Sequence, residues 1–211
     1  MIKVVSFDLG GTILDLGNRS FIEEFAYVVG VKKEKMAHII KKYLMTRRMS
    51  LDEIVQVISA ELGIKTQSLI KNFVLHYNND IVLYDDVEKT LSTLKEKGYI
   101  IIALANHYYL SGVNEIRLPQ YFTHYFYSYC IGSAKPSKRV FSFVEKEMNI
   151  PGKEILHVGD SFLSDIIGAH GAGWHTAFIV RDEKKNLHPQ NVLEKADYVI
   201  SRLDELLNIL E

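Results

Sequence analysis

One cysteine, Cys130, occurs in the 211 residues, which excludes an internal disulfide and points to a reducing compartment. No apolar run approaches the roughly 18 residues that a membrane-spanning helix needs. The N-terminal stretch MIKVVSFDLGG is too short in apolar length for a secretory signal and runs straight into the fold. An excess of either charge is missing too. With 25 Lys and Arg against 26 Asp and Glu, the formal net charge is -1, so bulk attraction to nucleic acid or to an anionic membrane is not expected. Internal repeats and low-complexity tracts are absent. What remains is an ordinary globular composition, 47% hydrophobic and 24% charged, expected in the cytoplasm as one domain with at most a small insertion.

Short apolar runs do recur, at IKVVSF (2–7), YIIIAL (99–104), YFYSYCI (125–131), EILHVG (154–159), HTAFIV (175–180) and DYVI (197–200). Bounded by Gly, Pro or charge, they read as buried strands. Amphipathic helices lie between them. Val87, Leu91 and Leu94 repeat through DDVEKTLSTLKEKG (85–98), which stops at Gly98, and Val140, Phe141, Val144 and Met148 share one face of SKRVFSFVEKEMN. Strands alternating with helices imply βαβ units and a mostly parallel α/β sheet covered on both faces. From Gly17 to Asp80 the pattern is helical only, with SFIEEFAYVVGV, KEKMAHIIKKYLM, SLDEIVQVISAELG and TQSLIKNFVLHY as successive helices. An all-helical insertion after the first strand reads as a cap over the carboxyl end of the sheet, where open parallel sheets hold their ligands. The expected division is a core of residues 1–16 and 81–211 and a cap of residues 17–80.

Four strand ends present polar groups. The first strand ends on Asp8, followed by Gly10, Gly11 and Thr12. A carboxylate there is a nucleophile, a metal ligand or both, or it merely caps the turn. The glycines let the backbone aim N–H groups at an anion, and Thr12 adds a hydroxyl. LHVGDSFLSD carries Asp160 and Asp165, which together with Asp8 would form an oxygen-rich site suited to Mg²⁺. Lys135, extended ahead of Pro136, would balance those carboxylates and attract phosphate. Asn106 closes the strand end ALAN. Arg47 and Arg48 read as a solvated helix face, Tyr125, Tyr127 and Tyr129 as alternate positions of one strand, and His157 and Trp174 as core.

The ordered set FDLGGT, LAN, Lys135-Pro136 and VGDSFLSD resembles the four motifs of the haloacid dehalogenase superfamily, and the resemblance covers nearly the whole chain. It implies a Rossmann-like doubly wound parallel core with an inserted helical cap. For a phosphatase of the family it implies that Asp8 attacks phosphorus, forming an aspartyl-phosphate that water hydrolyses. Mg²⁺ would be held by Asp8, the Gly10 carbonyl and Asp160, with Asp165 as ligand or support. Lys135 would steady the nucleophile and the phosphoryl oxygens. Leu9, Thr12, Ala105 and Asn106 would line the phosphate site, and the implied partner is a small phosphorylated metabolite.

Two departures stand out. Phosphatases of the family usually carry a second aspartate where this chain has Gly10, and Ser or Thr where it has Ala105. Loss of general acid–base help typically costs about 10²–10⁴-fold. Asp15 and His107 are candidate replacements. The resemblance also leaves room for a dehalogenase and for a phosphonatase using a cap lysine (Lys41 and Lys42, with Lys32, Lys33 and Lys35 nearby). An eroded binder of phosphorylated ligands or partner proteins is the third possibility.

Overall fold

The computed structural model describes residues 1–17, 20–63, 67–77, 81–108, 120–181 and 196–211. The expected cap boundary at Asp80, and Thr66 at the head of its last helix, lie outside the described residues. In chain order the elements begin with β1 (Val4–Phe7), β2 (Leu14–Asp15), α1 (Phe21–Val29) and α2 (Lys33–Ile39), which continues into a π-helical turn at Ile40–Leu44. Next come α3 (Leu51–Leu62), α4 (Gln67–His76), β3 (Val82–Leu83), α5 (Val87–Glu96), β4 (Ile100–Ala105), β5 (His124–Tyr127), α6 (Ser128–Ile131) and α7 (Lys138–Met148). The chain finishes with β6 (Ile155–Gly159), a π-helical stretch at Phe162–Ile167 running into α8 (Gly168–Gly171), β7 (His175–Ile179), β8 (Tyr198–Ile200) and α9 (Leu206–Ile209).

Six strands form one parallel sheet in the order β5-β4-β1-β6-β7-β8. From β1 the chain builds outward first through β4 and β5, then on the other side through β6, β7 and β8. The strand order therefore reverses at β1, and its carboxyl end opens on the crevice. Side chains alternate across the sheet. Val5 and Phe7 pack on α5 and α9 through Leu91, Leu94 and Leu206, whereas Val4 joins Phe141, Val144 and Trp174 on the face of α7.

The helices α1 to α4 build a third apolar cluster, in which Phe25, Met36, Ile40, Ile54, Ile58 and Ile70 are fully buried. Their ends are well specified. Ser50 and Glu53 form a capping box on α3, and Gly30 and Gly63 end α1 and α3 with φ of 73° and 66°. The antiparallel pair β2–β3 brackets this helical segment. Contact with the sheet is made where Tyr108, just beyond β4, stacks on Phe21 at 4.6 Å, and where Arg48 lies 5.6 Å from the Tyr129 ring. Among the described residues no helix is long and apolar enough to cross a membrane.

One local expectation is corrected. YFYSYCI is not one strand: it stops at Tyr127, the register partner of Ala105 at the end of β4, so no ladder continues beyond it. Ser128 then turns the chain into α6, its hydroxyl bonded to both the N–H and the carbonyl of His107 at 3.0 Å. Lys135-Pro136 lies in a turn with a cis peptide, closed by Ser137 N–H on the Ala134 carbonyl at 3.0 Å.

Phe25 is fully buried between Phe21 and Phe73, with ring centroids 5.5 and 4.5 Å away. Truncation by Phe25→Ala is expected to cost about 3–5 kcal/mol, read by urea titration of the helical circular-dichroism signal.

Candidate active site

Asp8 extends the ladder of β1 by one residue, its N–H on the Val158 carbonyl at 2.8 Å. The chain then coils around a single acceptor. Ile13 and Leu14 donate to the Leu9 carbonyl at 2.9 and 2.8 Å, and Gly11 donates to the Leu14 carbonyl at 2.8 Å. Gly11 has φ of 76°, and a Cβ there would fall 2.3 Å from Asp160 Oδ2. Only glycine lets the loop pass the carboxylate this closely. At Gly10 the space is different: a Cβ would meet only the Leu16 side chain, 2.9 Å from its Cδ1.

Lys135 reaches this loop from the turn before α7 and is 1% exposed. An ammonium has three donors, and three acceptors face it at 2.8 Å (Asp8 Oδ1), 2.6 Å (Asp165 Oδ1) and 2.6 Å (Leu104 carbonyl). Asn106 fixes the lysine from behind. Its Oδ1 accepts Lys135 N–H at 2.7 Å and its Nδ2 donates to the Lys135 carbonyl at 2.9 Å. The Asn106 side chain thus clamps the lysine backbone with one bond from its nitrogen and one to its oxygen. Leu9 and Ala105 are buried beside these strand ends, and Thr12 is fully buried with its hydroxyl unpartnered.

Asp165, 1% exposed, sits on the π-helical stretch after β6. Its Oδ2 accepts Ser161 N–H at 2.9 Å, while Oδ1 also meets His157 Nε2 at 3.3 Å. His157 Nδ1 lies 3.0 Å from Ser6 Oγ. The Nε2–H tautomer satisfies both contacts, donating to Asp165 and accepting from Ser6. Ser6 and His157 are register partners on β1 and β6, so a polar pair lies directly beneath the carboxylates. Sequence reasoning placed His157 in the core and passed over Ser6. The available signal was one polar residue inside each of two otherwise apolar strands.

Carboxylate oxygens of Asp8, Asp160 and Asp165 all fall within 4.8 Å of one another. This hard-oxygen donor set suits a divalent cation. Burial, opposed by Lys135 and reinforced by the charges of Asp165 and Asp160, pushes the Asp8 carboxyl up to about 7. Burial opposes the Asp165 charge as well, but Lys135 and His157 outweigh it and hold that carboxyl well below the usual range. Lys135 stays charged because Asp165 and Asp8 outweigh its own burial. Burial, with Lys135 nearby, lowers His157 and keeps it neutral.

Other candidates have contacts of their own. Asp15 Oδ1 accepts Gly17 N–H at 2.8 Å, a local turn cap. His107 is half-buried among Tyr108, Tyr127 and Tyr129, and burial lowers its pKa. Lys33 and Lys42 pair with Glu23 and Glu61 on exposed helix surface.

Comparison with known proteins gives the family. The model of the haloacid dehalogenase-like hydrolases matches residues 2–173. A glyceraldehyde 3-phosphate phosphatase of Pyrococcus furiosus is 27% identical, over 100% of this chain and 93% of its own. An (S)-2-haloacid dehalogenase of a Pseudomonas species is 25% identical, over 99% and 96%. The crystal structure of a phosphatase from Thermococcus onnurineus superposes with a TM-score of 0.63 at 22% identity, covering 99% of this chain and 98% of the other. The chain is a hydrolase and belongs to the haloacid dehalogenase-like family.

Proposed function

We propose that the protein is a Mg²⁺-dependent phosphatase of a small phosphorylated metabolite, acting through an aspartyl-phosphate on Asp8. The observation that carries this reading is the cluster of three carboxylates, two of them paired with one buried ammonium, at the carboxyl end of the central strand. A dehalogenase would attack carbon and has no use for Asp160 beside its nucleophile. The exposed, ion-paired Lys42 offers none of the desolvation that a Schiff-base lysine needs. Retention of Asp8, Lys135, Asp160 and Asp165 together speaks against an eroded, non-catalytic binder.

The donor set and the glycine cradle at Gly11 fit the ion. Asp8, the Gly10 carbonyl and Asp160 would hold it, and it would supply positive charge to the phosphoryl oxygens. Asp165 then serves as support, because both its oxygens are already engaged by Lys135 and His157 on one side and Ser161 on the other. Asp8 attacks phosphorus in line, and the leaving oxygen departs with the bonding electrons. Water then attacks the acyl phosphate, freeing inorganic phosphate and restoring the carboxylate. Lys135 holds the Asp8 carboxylate in place and shares in neutralising the phosphoryl group. Residues 17–80 act as a cap on a core of residues 1–16 and 81–211. The separate apolar cluster of α1 to α4 and the β2–β3 ribbon that brackets it support that division.

Gly10 gives no proton to the leaving group, and Leu16 borders the space where an acid would stand. Aryl and acyl phosphates, whose leaving groups depart unprotonated, are expected to outpace alkyl phosphates by about 10²–10⁴-fold, as initial rates with Mg²⁺ would show. Asp8→Asn abolishes both activities. Gly10→Asp needs only a rotation of the half-exposed Leu16, and should raise the alkyl rate while leaving the aryl rate within a few-fold. Equal aryl and alkyl rates in the wild type would reveal another acid.

Because Asp8 binds a proton up to about pH 7, proton and cation compete for it. The rise in Tm on adding Mg²⁺ should therefore be small near about pH 5 and grow toward about pH 8. In Asp8→Asn, scanning calorimetry should find that pH dependence largely gone.

A further inference from the structure

Arg181 lies just beyond β7, outside the carboxylate cluster, yet it ties three separate segments together. Its guanidinium takes both oxygens of Asp86, Nη1 to Oδ2 at 2.6 Å and Nη2 to Oδ1 at 2.9 Å, and Nη2 also donates to the Thr12 carbonyl at 2.8 Å. The guanidinium carbon lies 4.1 Å from the centroid of the Tyr84 ring. The ion pair is buried, with side chains 9% and 0% exposed, and Asp86 Oδ2 also accepts Leu203 N–H at 2.8 Å. Tyr84 N–H in turn donates to the Ile13 carbonyl at 3.2 Å.

The identity of the partners matters. Thr12 belongs to the loop that leaves Asp8 and coils on the Leu9 carbonyl. Tyr84 and Asp86 follow β3, where the chain returns from the helical segment. Arg181 thus holds both linkers of that segment at the points where they leave and rejoin the sheet. A buried ion pair contributes little net stability, because desolvation offsets its attraction. Position is what it supplies, and an ion pair alone would not need a carbonyl of the nucleophile loop or the face of a linker tyrosine.

We propose that Arg181 is a positioning residue for the reaction: through the Thr12 carbonyl it sets the loop that orients Asp8 and Gly10, and through Tyr84 and Asp86 it fixes the base of the β2–β3 ribbon. The proposal rests on Asp8 as the reacting carboxylate, and its test separates the two. Arg181→Met and Arg181→Lys are compared with wild type, each well below its own Tm, for p-nitrophenyl phosphate hydrolysis with Mg²⁺ and for amide hydrogen exchange.

A misplaced loop should lower kcat by about 10–10²-fold with KM changed far less. The amides of Gly11, Ile13 and Leu14 should exchange about tenfold faster while those of β4 and β6 do not. Lysine should not rescue either readout, since one ammonium cannot span carboxylate and carbonyl as the guanidinium fork does. Should Arg181→Met not fold, Arg181→Lys carries the comparison. Unchanged kcat in a folded variant, or faster exchange spread evenly over the sheet, overturns the proposal. If the wild type hydrolyses no ester, the reading of Asp8 fails, while the exchange comparison still decides the anchor.

Discussion

The crevice depends on one buried ammonium. Lys135 is enclosed by Asp8, Asp165 and the Leu104 carbonyl, and these three acceptors use all of its donors. Without that charge, carboxylates buried at a sheet end would be forced toward their neutral forms. With it, Asp165 stays ionised and Asp8 is left as the group that competes for a proton. One positive charge among three carboxylates leaves the cluster net negative. That imbalance is the electrostatic reason a divalent cation suits it.

The sheet delivers these groups through its order. Because the chain winds outward from β1 in both directions, the ends of β1, β4 and β6 lie side by side. Asp8, Asn106 and Asp160 follow those three strand ends. The remaining member, Lys135, comes from a turn, and Asn106 clamps its backbone in place. Beneath them, Ser6 and His157 form a neutral polar floor whose hydrogen bond on Asp165 orients that carboxylate without adding charge. Buried polar groups of this kind persist because each is satisfied by the next.

Much of this was legible in the chain itself. The alternation of apolar runs and amphipathic helices announced a parallel sheet, and the unbroken helical periodicity after the first strand announced the inserted helices. Asp8 and Asp160 stood out because strand ends are where polar groups meet a crevice, and Lys135 and Asp165 stood out in their company. Less legible were features set by contact at long range. YFYSYCI has strand composition throughout, yet its ladder partner ends at Ala105 and Ser128 bonds to His107 instead. The strand end ALAN likewise gives no sign that the Asn106 amide clamps the backbone of Lys135, 29 residues away.

The amino-acid sequence by itself determined the kinds of element, their order and the residue types at each strand end, because periodicity and glycine placement act over a few neighbouring residues. It also determined that position 10 is a glycine, with no side chain that packing could turn into a proton donor. Only the tertiary structure decided which groups share a charge environment. Asp8 and Lys135 are 127 residues apart, as are Ser6 and His157 by 151 and Thr12 and Arg181 by 169. Hydrogen bonds and buried charges act over a few ångströms, so their partners are set by strand order and not by spacing along the chain.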